Sequence, residues 1–175
     1  MRIRILECDI KIKRVVSFVS ASSNSGKTTL IEKVIKILKG RGLRVAVIKH
    51  ASAGFDLDKP GKDSWRFQQA GADTVILSGS GRIALMQKVE HEPGLDELAR
   101  LAGDVEIVIA EGYKNIATNK IEVFRQGVSG ERPLSQNDSS YLALVSDKRF
   151  AVSIPCFDLD DATGVADLIV RTISR

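Results

Sequence analysis

The residues best suited to hold a charged ligand lie in one run, ASSNSGKTT, from Ala21 to Thr29. The run follows the apolar VVSFVS and precedes a stretch with helical periodicity. A loop between a buried strand and a helix can curl its backbone N–H groups around phosphate oxygens, with the positive helix N-terminus pointing at them. The pattern for this is G-x-x-x-x-G-K-[ST], and the run matches it everywhere except the first position, where Ala21 stands. Gly26 then lets the backbone approach the phosphates, and Lys27 reaches the outer two. The Thr28 hydroxyl ligates Mg²⁺, while Ser22, Ser23, Asn24, Ser25 and Thr29 complete the cradle. Alanine fits the first position only if its φ stays negative, whereas Asn24 is of a type that tolerates a left-handed backbone. The competing reading is structural, with Ser25 capping a helix that begins near Gly26.

A triphosphate site also needs an acid near the metal, and EIVIAEGYK supplies Glu111 at a strand end, followed by Gly112. The expected roles are a carboxylate that holds Mg²⁺ or positions water, and a glycine N–H that approaches the outermost phosphate. A solvated strand-end acid beside a turn glycine is the structural alternative. The segment from His50 to Arg66 adds Asp56, Asp58 and Asp63 as candidate metal contacts, Asp58 foremost. Lys49, Lys59, Lys62 and Arg66 are candidate anion contacts, and His50 reads as a structural donor. For a base, Asp147 follows the strand LALVS and could accept both donors on guanine's edge, although a turn aspartate has the same spacing. The run NKIE, Asn119 to Glu122, imitates a guanine-reading motif but begins a strand instead of following one.

These residues must be positioned by alternating strands and helices. Strands are predicted at VVSFVS, RVAVIK, TVILS, IALMQK, EIVIAEG, IEVFR and LALVS. Helices are predicted at TTLIEKVIKILKG, around DSWRFQQAGA and at DATGVADLIVRTIS, with Asp161 near the start of the last. Continuous Val/Ile runs suit strands buried on both faces. The implied fold is α/β, an open and mostly parallel P-loop NTPase sheet with helices on both faces. IALMQK and IEVFR follow their neighbours too closely for helical crossovers, so some antiparallel edge pairing is expected. Residues 1–14, with the alternation RIRI…IKIK, read as a strand-like extension, and residues 15–175 as the nucleotide-binding domain. In such sheets ligands lie beyond the carboxyl ends of the strands.

Composition narrows the function classes. The 175 residues are 43% apolar and 27% charged with a net charge of +4, values typical of a globular chain. The cations are scattered and aromatic residues few, which argues against nucleic acid as a partner. No run approaches the roughly 18 apolar residues of a membrane span, and the charged N-terminus is not a signal peptide. Cys8 and Cys156 lack metal-site spacing and read as reduced, partly buried thiols. A cytoplasmic location is expected.

Taken in order, SGKTTL, VAVIKH, GFDLDKPGKDSWR, AGAD, EGYK, KIEVFR and VSD resemble the molybdopterin-guanine dinucleotide biosynthesis protein B family, from about Val15 to the C-terminus. The resemblance implies a homodimeric P-loop protein that binds GTP with Mg²⁺ and hydrolyses it weakly. It also implies a partner, the molybdenum cofactor guanylyltransferase that joins GMP to molybdopterin. Gly26, Lys27, Thr28 and Thr29 match the family's nucleotide loop, and Glu111 with Gly112 its acidic strand end. Ala21 and Asn24 depart from its more glycine-rich spelling. Two other functions fit the same early motifs: a small-molecule kinase or ligase, and a dimeric adapter with a vestigial nucleotide site.

Overall fold

A computed structural model describes residues 14–51, 54–55, 58–115 and 117–174. The expected N-terminal strand pair, Cys8 and Asp56 lie outside the described residues. Within the span read as one domain, the described residues fall into two compact units, those up to His50 together with those from Gly94 onward, and those between them.

The larger unit is built on β1 (Val15–Val19), β2 (Val45–Lys49), β5 (Ile107–Glu111), β6 (Lys120–Phe124), β7 (Tyr141–Ser146) and β8 (Cys156–Phe157). They form one sheet in the order β2-β5-β1-β6-β7-β8, and every pairing within it is parallel. Helix α1 (Lys27–Gly40) and helix α4 (Ala162–Ile173) cover one face. Leu30, Ile31, Val34 and Leu38 of α1 and Val165, Ala166 and Ile169 of α4 pack with Val16, Phe18, Ile109 and Val123. Each such large side chain contributes about 1.5–3 kcal/mol by leaving water. Asp161 caps α4 by accepting from the Gly164 N–H at 2.9 Å, which satisfies one of the orphan donors of the first turn. On the other face, α3 (Leu95–Leu101) contributes Leu95 and Ala99 to a cluster with Val15, Val108, Ala110 and Tyr113.

Three features differ from the sequence-based expectations. IEVFR is not antiparallel: β6 pairs parallel with both β1 and β7. Since β1 lies between β5 and β6, the segment 112–119 crosses one strand without needing a helix. The sequence also offers no helix next to IEVFR to cover it, yet every residue of β6 is buried. Cys156 is an exposed free thiol, not a partly buried one.

The smaller unit contains α2 (Asp63–Gln69) and the antiparallel pair β3 (Thr74–Gly79) and β4 (Arg82–Gln87). Here the expected antiparallel pairing is present. Gln68 of α2 donates from Nε2 to the Met86 sulfur at 3.1 Å. Much of this hairpin's apolar surface stays in water: Ile76, Leu77, Ile83 and Leu85 are all exposed. No helix among the described residues is long and apolar enough to cross a membrane.

Candidate functional site

Because the sheet is parallel, its strands all end at one edge, and the chemistry-bearing residues follow those ends directly. The phosphate-loop sequence follows β1, Lys49 closes β2, Glu111 closes β5, Arg125 follows β6, and Asp147 follows β7. Helix α1 starts from Gly26, whose φ is 93°, and Asn24 has φ 59°. Ala21 is not among the positive-φ residues. The unusual spelling therefore has a backbone reason: the left-handed positions fall on asparagine and glycine, and alanine occupies an ordinary one. The cap reading for Ser25 fails. Gly26 is the N-cap, no side chain caps the helix, and Ser25 is fully buried with its hydroxyl lacking a protein partner.

Lys27 folds back over the loop, donating from Nζ to Ser20 Oγ at 2.6 Å and to the Ser22 carbonyl at 3.3 Å. Burial holds its ammonium below the ordinary lysine value, Glu111 pulls the other way, and Lys49 adds to the depression. A bound phosphate anion would offset that penalty by favouring the charged form. The Thr28 hydroxyl donates to Glu111 Oε1 at 3.1 Å, and Lys49 Nζ lies 3.6 Å from Glu111 Oε2. The Glu111 side chain is only 15% exposed, so its charge is shielded from bulk water and directed at this corner.

Gly112 does not have the role expected of it. Its N–H donates to the Phe18 carbonyl at 2.9 Å, continuing the β1–β5 ladder, and so is not free for a phosphate. Glycine is needed there for another reason: φ is 104°, and a Cβ would lie 3.1 Å from that of His50. His50 packs its ring 5.1 Å from that of Tyr113.

Beyond Gly26 the edge opens into a cavity of about 320 Å³, whose walls include Thr29, Lys33, Arg125, Asp147 and Asp160. Asp147 is exposed there and accepts the Gln126 N–H at 2.9 Å through Oδ1. Lys33 and Asp160 pair at 2.7 Å.

The amino-acid sequence over residues 15–147 matches the family model of molybdopterin guanine dinucleotide synthesis protein B. The chain belongs to this family. It is 36% identical over 162 residues to the molybdopterin-guanine dinucleotide biosynthesis adapter protein of Escherichia coli, covering 89% of this chain and 91% of that one. The adapter protein of the same description from Haemophilus influenzae is 36% identical over 153 residues, covering 86% and 85%. Among solved structures, a molybdopterin-guanine biosynthesis protein B superposes with a TM-score of 0.73 at 30% identity, covering 92% of this chain and 99% of that one. Bacillus subtilis MobB gives 0.69 at 25% identity, covering 91% and 97%.

Within this member of the molybdopterin guanine dinucleotide synthesis protein B family, the site candidates fall into three groups. Lys27, Thr28 and Glu111 are brought together, and Asp147 shares the cavity with Gly26 and Thr29. Asp58 and Asp63 belong to the smaller unit, where Asp58 accepts the Lys59 N–H at 2.9 Å. Asp63 lies 3.7 Å from Arg66. NKIE reads no base. Asn119 turns the chain at φ 53°, and Lys120 is buried beside Asp138 at 3.1 Å. Glu122 is fully buried, accepting the Leu134 and Ser135 N–H groups at 2.9 and 2.8 Å.

Sequence reasoning missed Arg125. Its signal was available: it directly follows a strand, the position that singled out Glu111 and Asp147.

Proposed function

We propose that the protein is a GTP-binding adapter of molybdopterin-guanine dinucleotide biosynthesis, with weak Mg²⁺-dependent GTPase activity. It acts in the cytoplasm as a homodimer beside the guanylyltransferase that joins GMP to molybdopterin. The relatives' description as adapter proteins supports the pathway. The observation that carries the nucleotide reading is the Thr28–Glu111 contact at 3.1 Å, next to a lysine folded over a loop with two left-handed residues.

The donor set fits Mg²⁺. A hydroxyl and a carboxylate are hard oxygen ligands, and this ion is commonly held by one or two carboxylates together with substrate phosphates. Thr28 and Glu111 would hold it, and the bound ion supplies charge neutralisation on the phosphate oxygens. The chain's own groups account for the rest. Loop N–H groups and the start of α1 bind the phosphates, and Lys27 exchanges its bonds to Ser20 and Ser22 for phosphate oxygens. Glu111 orients water by accepting its hydrogen bond. Water then adds to the terminal phosphorus as the bridging P–O bond breaks, giving GDP and inorganic phosphate.

The test is calorimetric titration of the purified protein with GTP and ATP, each with Mg²⁺ and with EDTA. Tighter, Mg²⁺-dependent binding of GTP is expected. Equal affinities would remove the guanine assignment, and no binding of either would leave the vestigial-site adapter.

A further inference from the structure

The cavity beyond Gly26 is walled by residues that include Thr29, Lys33, Arg125, Asp147 and Asp160. Lys27 is not one of its walls, and its ammonium is bonded to Ser20 and Ser22 of the loop. The Arg125 guanidinium lies against the bare backbone of Gly26, where a Cβ would come within 3.3 Å of Nη2. Nε reaches the Ser25 carbonyl at 3.5 Å, the long limit of a hydrogen bond. Among the described residues no carboxylate forms an ion pair with it.

The guanidinium rests beside the positive N-terminus of α1, an unfavourable neighbour for a cation, while the Asp160 carboxylate in the same cavity feels its charge from beyond ion-pair distance. The backbone around Arg125 is nevertheless fixed. Its N–H donates to Ser129 Oγ at 3.0 Å, and its carbonyl accepts the Val128 and Ser129 N–H groups at 3.1 and 2.9 Å. Arg125 lines the same cavity as Gly26 and Asp147, so a ligand that spans the two meets this planar group. The volume, about 320 Å³, is at the lower end of the range for small-ligand pockets. A guanidinium plane stacks on aromatic faces in a way an ammonium does not.

We propose that Arg125 is a base-binding residue: its guanidinium is the floor on which a purine rests between the phosphate loop and Asp147. This rests on the nucleotide reading above and adds a residue to it. Lys27 serves the outer phosphates and Arg125 serves the nucleoside, so the two cations divide one ligand between them.

The experiment compares Mg²⁺–GTP with Mg²⁺–tripolyphosphate, which lacks a nucleoside, by calorimetric titration of the parent, Arg125→Ala and Arg125→Lys. Arg125→Ala is expected to weaken GTP about tenfold while leaving tripolyphosphate within about twofold, and Arg125→Lys to recover less than half the loss. Equal loss on both ligands would place the guanidinium on a phosphate and overturn the proposal. So would full recovery with lysine, or no loss at all. A parent that binds tripolyphosphate but not GTP would overturn the base site and leave the phosphate loop standing, whereas binding of neither would overturn the nucleotide reading itself. Unfolding midpoints of the unliganded proteins accompany the titrations. If Arg125→Ala is destabilised, Arg125→Gln, which can still donate to the Ser25 carbonyl, carries the comparison.

Discussion

Strands β6 and β4 have similar sequences, KIEVF and RIALMQ, each mixing apolar and polar residues over a short extended run. Their surroundings are opposite. Every residue of β6 is buried, whereas along β4 only Met86 is partly covered. β6 has a parallel partner on each edge, helices on one face, and a strap on the other. The strap is tied down by Glu122, whose carboxylate accepts two backbone N–H groups. β4 has one partner, in a two-stranded sheet. A strand's own residues favour extended backbone, but coverage depends on what the rest of the chain brings to it. Polar Glu122 in the centre of a sheet shows this sharply: it is tolerated because its oxygens are satisfied, not because it is apolar.

The contrast can be broken first through stability. Ile121→Ala in β6 should cost about 3 kcal/mol, as a cavity in a rigid core. Ile83→Ala in β4 should cost less than about 0.5 kcal/mol, the usual range for an exposed site. Urea unfolding of both variants checks this, and similar losses would mean that the hairpin is covered in solution.

Ligand binding, on the function proposed above, is expected of the larger unit. Lys27→Ala should weaken Mg²⁺–GTP about a hundredfold, losing a charge-assisted contact at a shielded site, with the unfolding midpoint nearly unchanged. Glu111→Gln should bind normally and hydrolyse about tenfold more slowly, as read by phosphate release. Untouched hydrolysis would make that strand end structural and direct the search to Asp56, Asp58 or Asp63.

Association should belong to the smaller unit. An apolar hairpin left in water tends to find a partner. Ile83→Asp should weaken a homodimer about tenfold by placing a charge in its contact, measured by light scattering across a dilution series. A parent that is monomeric at micromolar concentration, with and without GTP, would remove the dimer from the proposal.

Smaller effects test the spelling of the loop. Asn24→Val should lose about fivefold in GTP affinity, since a β-branched residue at positive φ is strained by about 1 kcal/mol or more, while Asn24→Gly should bind as the parent does. Smallest of all, Asp147→Asn should narrow the preference for GTP over ATP about threefold. Its carboxylate already accepts one backbone N–H, which divides its capacity.

Local chemistry was legible in the sequence and topology less so. The strand–loop–helix around Lys27, the conformations of Ala21 and Asn24, and the place of Asp161 near the start of α4 each depend on a few adjacent residues, and the structure has all of them. The place of β6 between β1 and β7 depends on strand order, which no neighbouring residue encodes. α3 could have been found from GLDELARL, where Glu97 accepts the Gly94 N–H at 3.0 Å and Leu95 and Ala99 share a face. The two-residue β8 carries no periodicity to detect. For Gly112 the sequence marked the right residue for a different reason, since a clash with the His50 Cβ is visible only once two strand ends are adjacent.

The Gly112 N–H also has a consequence for how the site opens. This single amide joins the end of β5, next to Glu111, to the Phe18 carbonyl near the end of β1, just before the phosphate loop. Its exchange with solvent deuterium requires the two strand ends to part, and parting them separates the acid from the loop. The rate at which this one proton is lost therefore clocks the breathing of the corner where Glu111 meets the loop, with no nucleotide required.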